Sequence, residues 1–470
     1  MAYDFDVLVI GLGPAGMAVS IMAAEMGLKV CAVERKNVGG ECMNVGCIPS
    51  KALLRVAKAR AAFGKLEGMG LGAAVKPEVL RPFARIADNL AYISEKKTMG
   101  MFSKVEMLYQ EGDAVFVDPH TVAVGKRKIT AKRIFICVGS RPEVPDVEGL
   151  TEVTPLTNET MFQLERVPAS LLVLGSGAIA CEMAQAFARL GTVVTMVFRG
   201  PGLLWREDTE ATAILEKQFA EDGITLAKNA VMRRFSKSEG ETILHLEDGQ
   251  ELRAERVLAA LGRRFDFSTL ALDRAGVVAG NKGIGVDRYL RTSQKHIYAC
   301  GDCNGYRQFS HAAMHQGMIA LMNCMLVWPF KRDFRKYPVP WTVFTEPQLS
   351  RVGKSLRQLD IEKICYQTVT VKYDDYGAAI AESVATGFVK AAVSPFGNIL
   401  GTTVVGEGSG EMINEWTMAM QNRIGMPGIL MQQHSFPTMG FLTKRVAETW
   451  MTGKMKSSLI KKACRAMFRF

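Results

Sequence analysis

Residues 5–16 read Phe5-Asp6-Val7-Leu8-Val9-Ile10-Gly11-Leu12-Gly13-Pro14-Ala15-Gly16, an apolar run that closes on spaced glycines. A short, unbroken run of Val, Ile and Leu is what a parallel strand buried on both faces requires. Small residues from Met17 to Met26 predict a helix behind the glycines, and Lys29-Val30-Cys31-Ala32-Val33 predicts a second strand ending at Glu34. Each glycine has its own task in such a unit. Gly11 makes the turn, Gly13 lets the backbone approach a pyrophosphate, and Gly16 lets the helix lie close to the strand. The free N–H groups of the helix start attract the phosphates, and Glu34 can accept hydrogen bonds from a ribose. A bare GxGxxG is weak evidence. The complete strand–glycine–helix–strand–acid unit points to an α/β, Rossmann-like fold.

The pattern occurs twice. Ser170-Leu171-Leu172-Val173-Leu174 leads into Gly175-Ser176-Gly177-Ala178-Ile179-Ala180, with Glu182 on the helix that follows and a next strand at Val193–Val197. Ala180 takes the third small position. Where an acid would bind a ribose 2′-OH and repel a 2′-phosphate, this unit has Phe198-Arg199, with Arg206 further on. Arginines there attract a 2′-phosphate, which favours NADPH over NADH. The plain alternative is that they are solvated loop charges.

Just beyond the first unit lies Gly39-Gly40-Glu41-Cys42-Met43-Asn44-Val45-Gly46-Cys47-Ile48-Pro49-Ser50-Lys51. Two cysteines five positions apart on the first turns of a helix can close a small disulfide ring, and the helix start would stabilise a thiolate when it opens. Taken alone, the pair fits a redox couple, a structural bridge or half of a metal site. Its place after a dinucleotide unit changes that. Together these motifs resemble the flavin-dependent pyridine nucleotide–disulfide oxidoreductases, the family of dihydrolipoamide dehydrogenase, glutathione reductase and mercuric reductase. The likeness runs from about residue 5 to 450. It includes the crossing strand Arg133–Pro142 with Gly139, the return segment Ile297-Tyr298-Ala299-Cys300-Gly301-Asp302, and alternating strands after Tyr337.

The resemblance implies two Rossmann-like dinucleotide-binding domains and a C-terminal α+β dimerisation domain. FAD would sit on residues 1–150 and 285–338, NAD(P)H on 151–284, and the homodimer contact on 339–470. Reducing equivalents would pass from NAD(P)H through FAD to a Cys42–Cys47 disulfide. Cys47 would lie against the flavin, Cys42 would exchange with substrate, and Lys51 and Glu182 would form an ion pair beside the flavin. Asp302 would hold the ribityl chain. Cys300 and Cys303 have CxxC spacing but flank this flavin loop, so neither a metal site nor a second redox pair is expected there.

One stretch departs from the pattern: Gln433-His434-Ser435-Phe436-Pro437-Thr438-Met439-Gly440-Phe441. In the disulfide-reducing members a His stands immediately before this Pro, with an orienting Glu shortly after. Here those places hold Phe436 and Phe441, which neither take nor give a proton. The acid/base contribution, roughly 10²–10⁴-fold, is absent from that position. His434 is displaced along the chain, and a packing role is expected of it. Mercuric reductase also lacks the His but carries a C-terminal vicinal Cys pair, where this chain has only Cys464.

Three readings of function follow. The first is reduction of a small-molecule or protein disulfide or similar thiol-reactive substrate, in the manner of dihydrolipoamide dehydrogenase. The second is NAD(P)H-dependent quinone or metal-ion reduction. The third is an electron-transferring subunit docked through a basic tail.

Composition bounds these readings. The chain has 470 residues, 48% apolar and 22% charged, ordinary for a globular protein of about three domains. Its ten scattered cysteines do not resemble a secreted disulfide framework, and the start shows no secretory pattern, so a cytoplasmic location is expected. Most of the net +11 comes from Leu442–Phe470, where eight basic residues face the single acid Glu448. The body is only mildly basic and does not argue for nucleic acid. On a helical wheel Leu459, Ile460, Ala463, Met467 and Phe470 share one side, while Lys461, Lys462, Arg465 and Arg469 share the other. Such a helix suits an anionic membrane surface, an acidic partner or a cap on the dimer.

Overall fold

A computed structural model describes residues 3–468. Phe5–Ile10 is the centre of a seven-stranded sheet, parallel to Val30–Glu34 on one side and to Arg127–Ile136 on the other. Ile297–Ala299 returns from far along the chain to pair with Arg127–Ile136, which puts Cys300 and Asp302 at the carboxyl end of the same sheet. Ligands in open α/β sheets bind at that end.

The helix behind the first glycines runs Pro14–Glu25, beginning three residues earlier than the small-residue run suggests. Proline at the helix start gives up no N–H that the helix would use. Two close approaches fix the turn. Gly11 has φ +92°, and a Cβ there would lie 2.7 Å from the Cys137 carbonyl oxygen; a Cβ on Gly16 would lie 1.9 Å from the Gly11 carbonyl oxygen. A second helix, Ser310–Met325, packs across the first, and Gly317 admits the Ala15 carbonyl where a Cβ would come within 2.5 Å.

The second dinucleotide unit forms a four-stranded parallel sheet in the order Thr225–Ala227, Val193–Val197, Ser170–Leu174, Arg256–Ala259. A three-stranded antiparallel sheet, Met232–Ala254, covers it. After Tyr337 comes a five-stranded antiparallel sheet backed by the helices Ser409–Gln421 and Phe441–Met455, around the buried Trp416 and Tyr373. Among the described residues, no helix is long and apolar enough to cross a membrane.

Two local expectations need correction. The polar-interrupted helical pattern that the sequence shows from Lys51 to about Met107 does not form one helical excursion. The helix Cys47–Ala62 gives way to short turns, residues 71–81 have no regular structure, the helix Pro82–Ile93 follows, and Met107 already lies in the strand Glu106–Tyr109. Gly68, Gly70, Gly72 and Pro77 crowd the break, with Gly70 at φ +80°, and such residues cannot sustain a helix. The two site cysteines also do not share one helix. Cys42 lies in the short helix Gly40–Asn44, and Cys47 opens the next, Cys47–Ala62. Gly46 sits at the break, where a Cβ would meet the Glu41 carbonyl at 2.8 Å.

These contacts predict a contrast between neighbouring glycines. Gly16→Ala should lower stability by about 1–3 kcal/mol, because the overpacked methyl has only backbone to displace. In the flavin-free protein Gly13→Ala should stay within about 0.5 kcal/mol of the parent, since its Cβ position is open to 4 Å. Chemical denaturation of the two variants checks both.

Candidate active site

The carboxyl ends of the parallel strands of both sheets open into one cleft of about 1710 Å³. Gly11, Gly13, Glu34, Gly139 and Asp302 line one arm. Gly175, Gly177, Arg199 and Arg206 line the other, and Cys42, Cys47, Lys51 and Glu182 stand on the same wall system. Gly16 and Ala180 face packing instead, Ala180 being fully buried.

The first arm fits a dinucleotide such as FAD. The helix Pro14–Glu25 starts at Gly13 with no side-chain cap, and nothing lies within 4 Å of a Cβ on Gly13 or Gly139. That leaves open space beside free backbone donors, as a pyrophosphate needs. Glu34 is buried and accepts hydrogen bonds from the backbone N–H of Leu12 at 2.8 Å and of Lys36 at 2.7 Å, so it shapes the loop it would also offer to a ribose. Asp302 accepts a hydrogen bond from Ser140 at 2.7 Å, and burial raises its pKa against the pull of Ser140 and Arg263.

Sequence reasoning missed Arg263. It donates to the Ser140 hydroxyl at 2.6 Å and to the Ser140 carbonyl at 3.0 Å, and pairs with Glu41 beside the thiols. The only local hint is Gly262-Arg263, which two residues separate from the end of the strand Arg256–Ala259.

The second arm repeats the design. The helix Ala178–Arg189 starts uncapped at Gly177, whose Cβ position is also open to 4 Å. Arg199 and Arg206 are exposed, the Arg206 guanidinium lying 5.0 Å over the Trp205 ring. The acids that follow are drawn away from them. Glu207 pairs with Arg351 at 2.6 Å, and Asp208 pairs with Lys390 at 2.9 Å, both partners belonging to the five-stranded sheet. Burial pushes the Glu207 carboxyl up to about 7.

Between the arms sit the thiols. Cys47 is the first residue of its helix, and its sulfur lies 3.2 Å from the Ser310 hydroxyl, another residue the sequence did not single out. Lys51 follows one turn later, on the same helix face as Cys47. Its ammonium lies 2.9 Å from Glu182 and 4.3 Å from the centre of the Phe344 ring. The other Glu182 oxygen accepts the Phe344 backbone N–H at 3.0 Å.

The electrostatics divide the pair. The neighbouring Cys42 thiol, with Ser310 and the Lys51 charge, lowers Cys47 to about 6 against the opposing effects of burial and Glu182. The neighbouring Cys47 in turn, together with burial, pushes Cys42 far above the ordinary thiol range. The pair is thus biased toward a thiolate at Cys47 and a thiol at Cys42, which suits a pair that exchanges electrons with two different neighbours.

Phe436 stands 71% exposed, its ring edge-on to Phe441 at 5.3 Å. His434 turns inward, its Nε2 2.8 Å from Glu415, and its buried Nδ1 has no hydrogen-bond partner among the described residues. Cys303 is fully buried, its thiol against the carbonyls of Ile136 and Cys300 at 3.3 Å each. Cys464 is exposed.

With this geometry in place, the comparisons are specific. Residues 5–317 match the pyridine nucleotide-disulphide oxidoreductase family, and residues 339–445 match the dimerisation domain of that family. The chain belongs to it: an NAD(P)H-dependent, FAD-containing oxidoreductase whose dimerisation domain supports a homodimer. It is 33% identical to mercuric reductase of Staphylococcus aureus over 89% of this chain and 77% of that one. It is 32% identical to dihydrolipoyl dehydrogenase of Geobacillus stearothermophilus over 95% of this chain and 96% of that one. Among solved structures it is similar to the HOCl-induced flavoprotein disulfide reductase RclA from Escherichia coli, with a TM-score of 0.84 at 26% identity, covering 95% of this chain and 99% of that one.

The split between the thiols gives a direct test. Alkylation of the reduced protein should show one thiol whose reactivity rises through about pH 6 and is nearly full at pH 7. Cys42→Ala removes the largest support of the thiolate, so the midpoint should move up toward the ordinary thiol value of about 8.5. Rates of iodoacetamide labelling against pH, located by peptide mass analysis, check this.

Proposed function

We propose that this protein is an NADPH-dependent reductase whose Cys42–Cys47 pair passes electrons to a soft, thiol-reactive metal ion in preference to a dialkyl disulfide. The observation that carries the reading is the exposed ring of Phe436 at the place of an acid/base histidine, with His434 turned inward to Glu415. Cleaving a disulfide expels a thiolate that must be protonated, and a positioned acid speeds that step by roughly 10²–10⁴-fold. A metal ion held by two sulfurs needs no proton to leave reduced. Soft thiolate ligands suit such ions, and the relatives include mercuric reductases and a reductase described in a Cu(II) complex.

FAD, when bound, supplies the two-electron passage between nicotinamide and sulfur. The chain supplies the rest. The two helix starts bind pyrophosphates, Lys51 and Glu182 fix the charge beside the thiols, and Ser310 and Lys51 keep Cys47 ionised. Oxidation of the dithiol to the disulfide releases two electrons, enough to take one Hg(II) to Hg(0) or two Cu(II) to Cu(I). Arg199 and Arg206, with Glu207 and Asp208 tied elsewhere, favour the 2′-phosphate of NADPH.

NADPH oxidation should be faster with Hg(II) or Cu(II) than with lipoamide or oxidised glutathione at equal concentration. Cys42→Ser should abolish it. A disulfide turned over faster than either metal would remove the metal-ion reading. Quinone reduction that survives Cys42→Ser while metal reduction is absent would place electron exit at the flavin instead. For the nucleotide, Arg199→Ala and Arg206→Ala should each raise KM for NADPH roughly 10- to 100-fold, the loss of a charge-assisted hydrogen bond. KM for NADH should stay nearly unchanged.

A further inference from the structure

The helix Ser458–Met467 takes no part in the fold's cores or in the cleft. Every residue from Met455 to Phe468 is exposed, including Leu459 at 77% and Phe468 at 95%. Phe470 and Arg469 lie outside the described residues. Successive residues turn by about 100°. Leu459, Ile460, Ala463, Ala466 and Met467 therefore fall within an arc of about 120°. Lys461, Lys462 and Arg465 centre on the opposite side. Lys454 and Lys456 precede them, and no acid occurs from Lys454 to Phe468.

The geometry points to a reversible docking site for an anionic phospholipid surface. A ten-residue helix is marginal in water by itself and gains its stability from a surface that covers its apolar face. A lipid interface engages both arcs together. The apolar arc sinks to the boundary between headgroups and acyl chains, and the basic residues meet the anionic headgroups. Nucleic acid would use the basic arc and leave Leu459 and Met467 in water. A second copy of this chain, itself at +11, would bring the same sign of charge to the contact. One such helix is a weak anchor, but a homodimer carries two, and the second binds as an intramolecular event.

The test uses the full-length, flavin-loaded protein and sedimentation with vesicles of phosphatidylcholine alone or with phosphatidylglycerol. The protein should co-sediment with the anionic vesicles at least ten-fold more strongly than with the neutral ones, and 0.5 M NaCl should release it. Each basic residue near the surface contributes roughly five-fold in partitioning. Lys461→Glu, Lys462→Glu and Arg465→Glu combined should therefore weaken binding by more than about 100-fold. Leu459→Gln should weaken it with no change in charge, which isolates the apolar arc. Flavin content and NADPH-driven turnover should match the parent in all variants, which separates loss of docking from loss of folding. Equal binding to both vesicle types, or binding indifferent to these substitutions, overturns the proposal. So does a change from dimer to monomer on deleting residues 456–470, which would assign the helix to a second copy.

Discussion

A single buried carboxylate joins the parts of this molecule that must meet for chemistry to occur. Glu182 is 5% exposed and sits on the helix of the second dinucleotide unit. One oxygen holds Lys51 from the redox helix, and the other takes the Phe344 N–H from the C-terminal region. Removing a charge from the water is costly unless partners replace the lost hydration, so Glu182 is stable there only while both partners are in place. The ion pair therefore reports correct assembly of the three regions and at the same time sets the charge beside Cys47.

A second set of ion pairs ties the nucleotide loop to the five-stranded sheet. Arg351 and Lys390 neutralise Glu207 and Asp208, carboxylates that would otherwise repel an anionic ligand beside Arg199 and Arg206. The charge of the loop beside Arg199 and Arg206 thus depends on residues more than 140 positions away, in a region whose family name refers only to dimerisation. The inward turn of His434 belongs to the same account. Its partner Glu415 lies on the helix Ser409–Gln421, so the imidazole is committed to that packing layer and is not presented beside Phe436.

What the sequence made legible was local or repeated. The strand–glycine–helix units could be read because burial on both faces leaves an unbroken apolar run, and because a tight turn admits only glycine at positions such as Gly11. The Cys42–Cys47 spacing was equally plain. Lys51 and Glu182, 131 positions apart, were paired only through the family likeness, since no periodicity links two separate helices. Ser310 and Arg263 escaped altogether. A serine opening a helix and an arginine after a strand are ordinary in isolation, and their roles exist only because Ile297–Ala299 returns to the first sheet and Arg263 reaches Ser140 and Glu41. The break between the cysteines was hidden for the opposite reason. Gly46 lies inside a run that otherwise reads as one helix, and the close approach that calls for a glycine there involves a carbonyl five residues back.

The Glu182 junction also bears on how such chains diverge. Recombination between related genes is most easily tolerated where few contacts cross the seam, which usually means at the edge of a domain. Here an exchange of the second sheet with its helices would import a new carboxylate, or none, opposite an unchanged Lys51 and Phe344. The graft could fold and still leave an ammonium without its counter-ion beside the thiols. If Arg199 and Arg206 select the nucleotide as proposed, the heritable unit for swapping that preference is smaller than the domain: the loop from Phe198 to Glu210 together with Arg351 and Lys390, which can change while the helix bearing Glu182 stays in place.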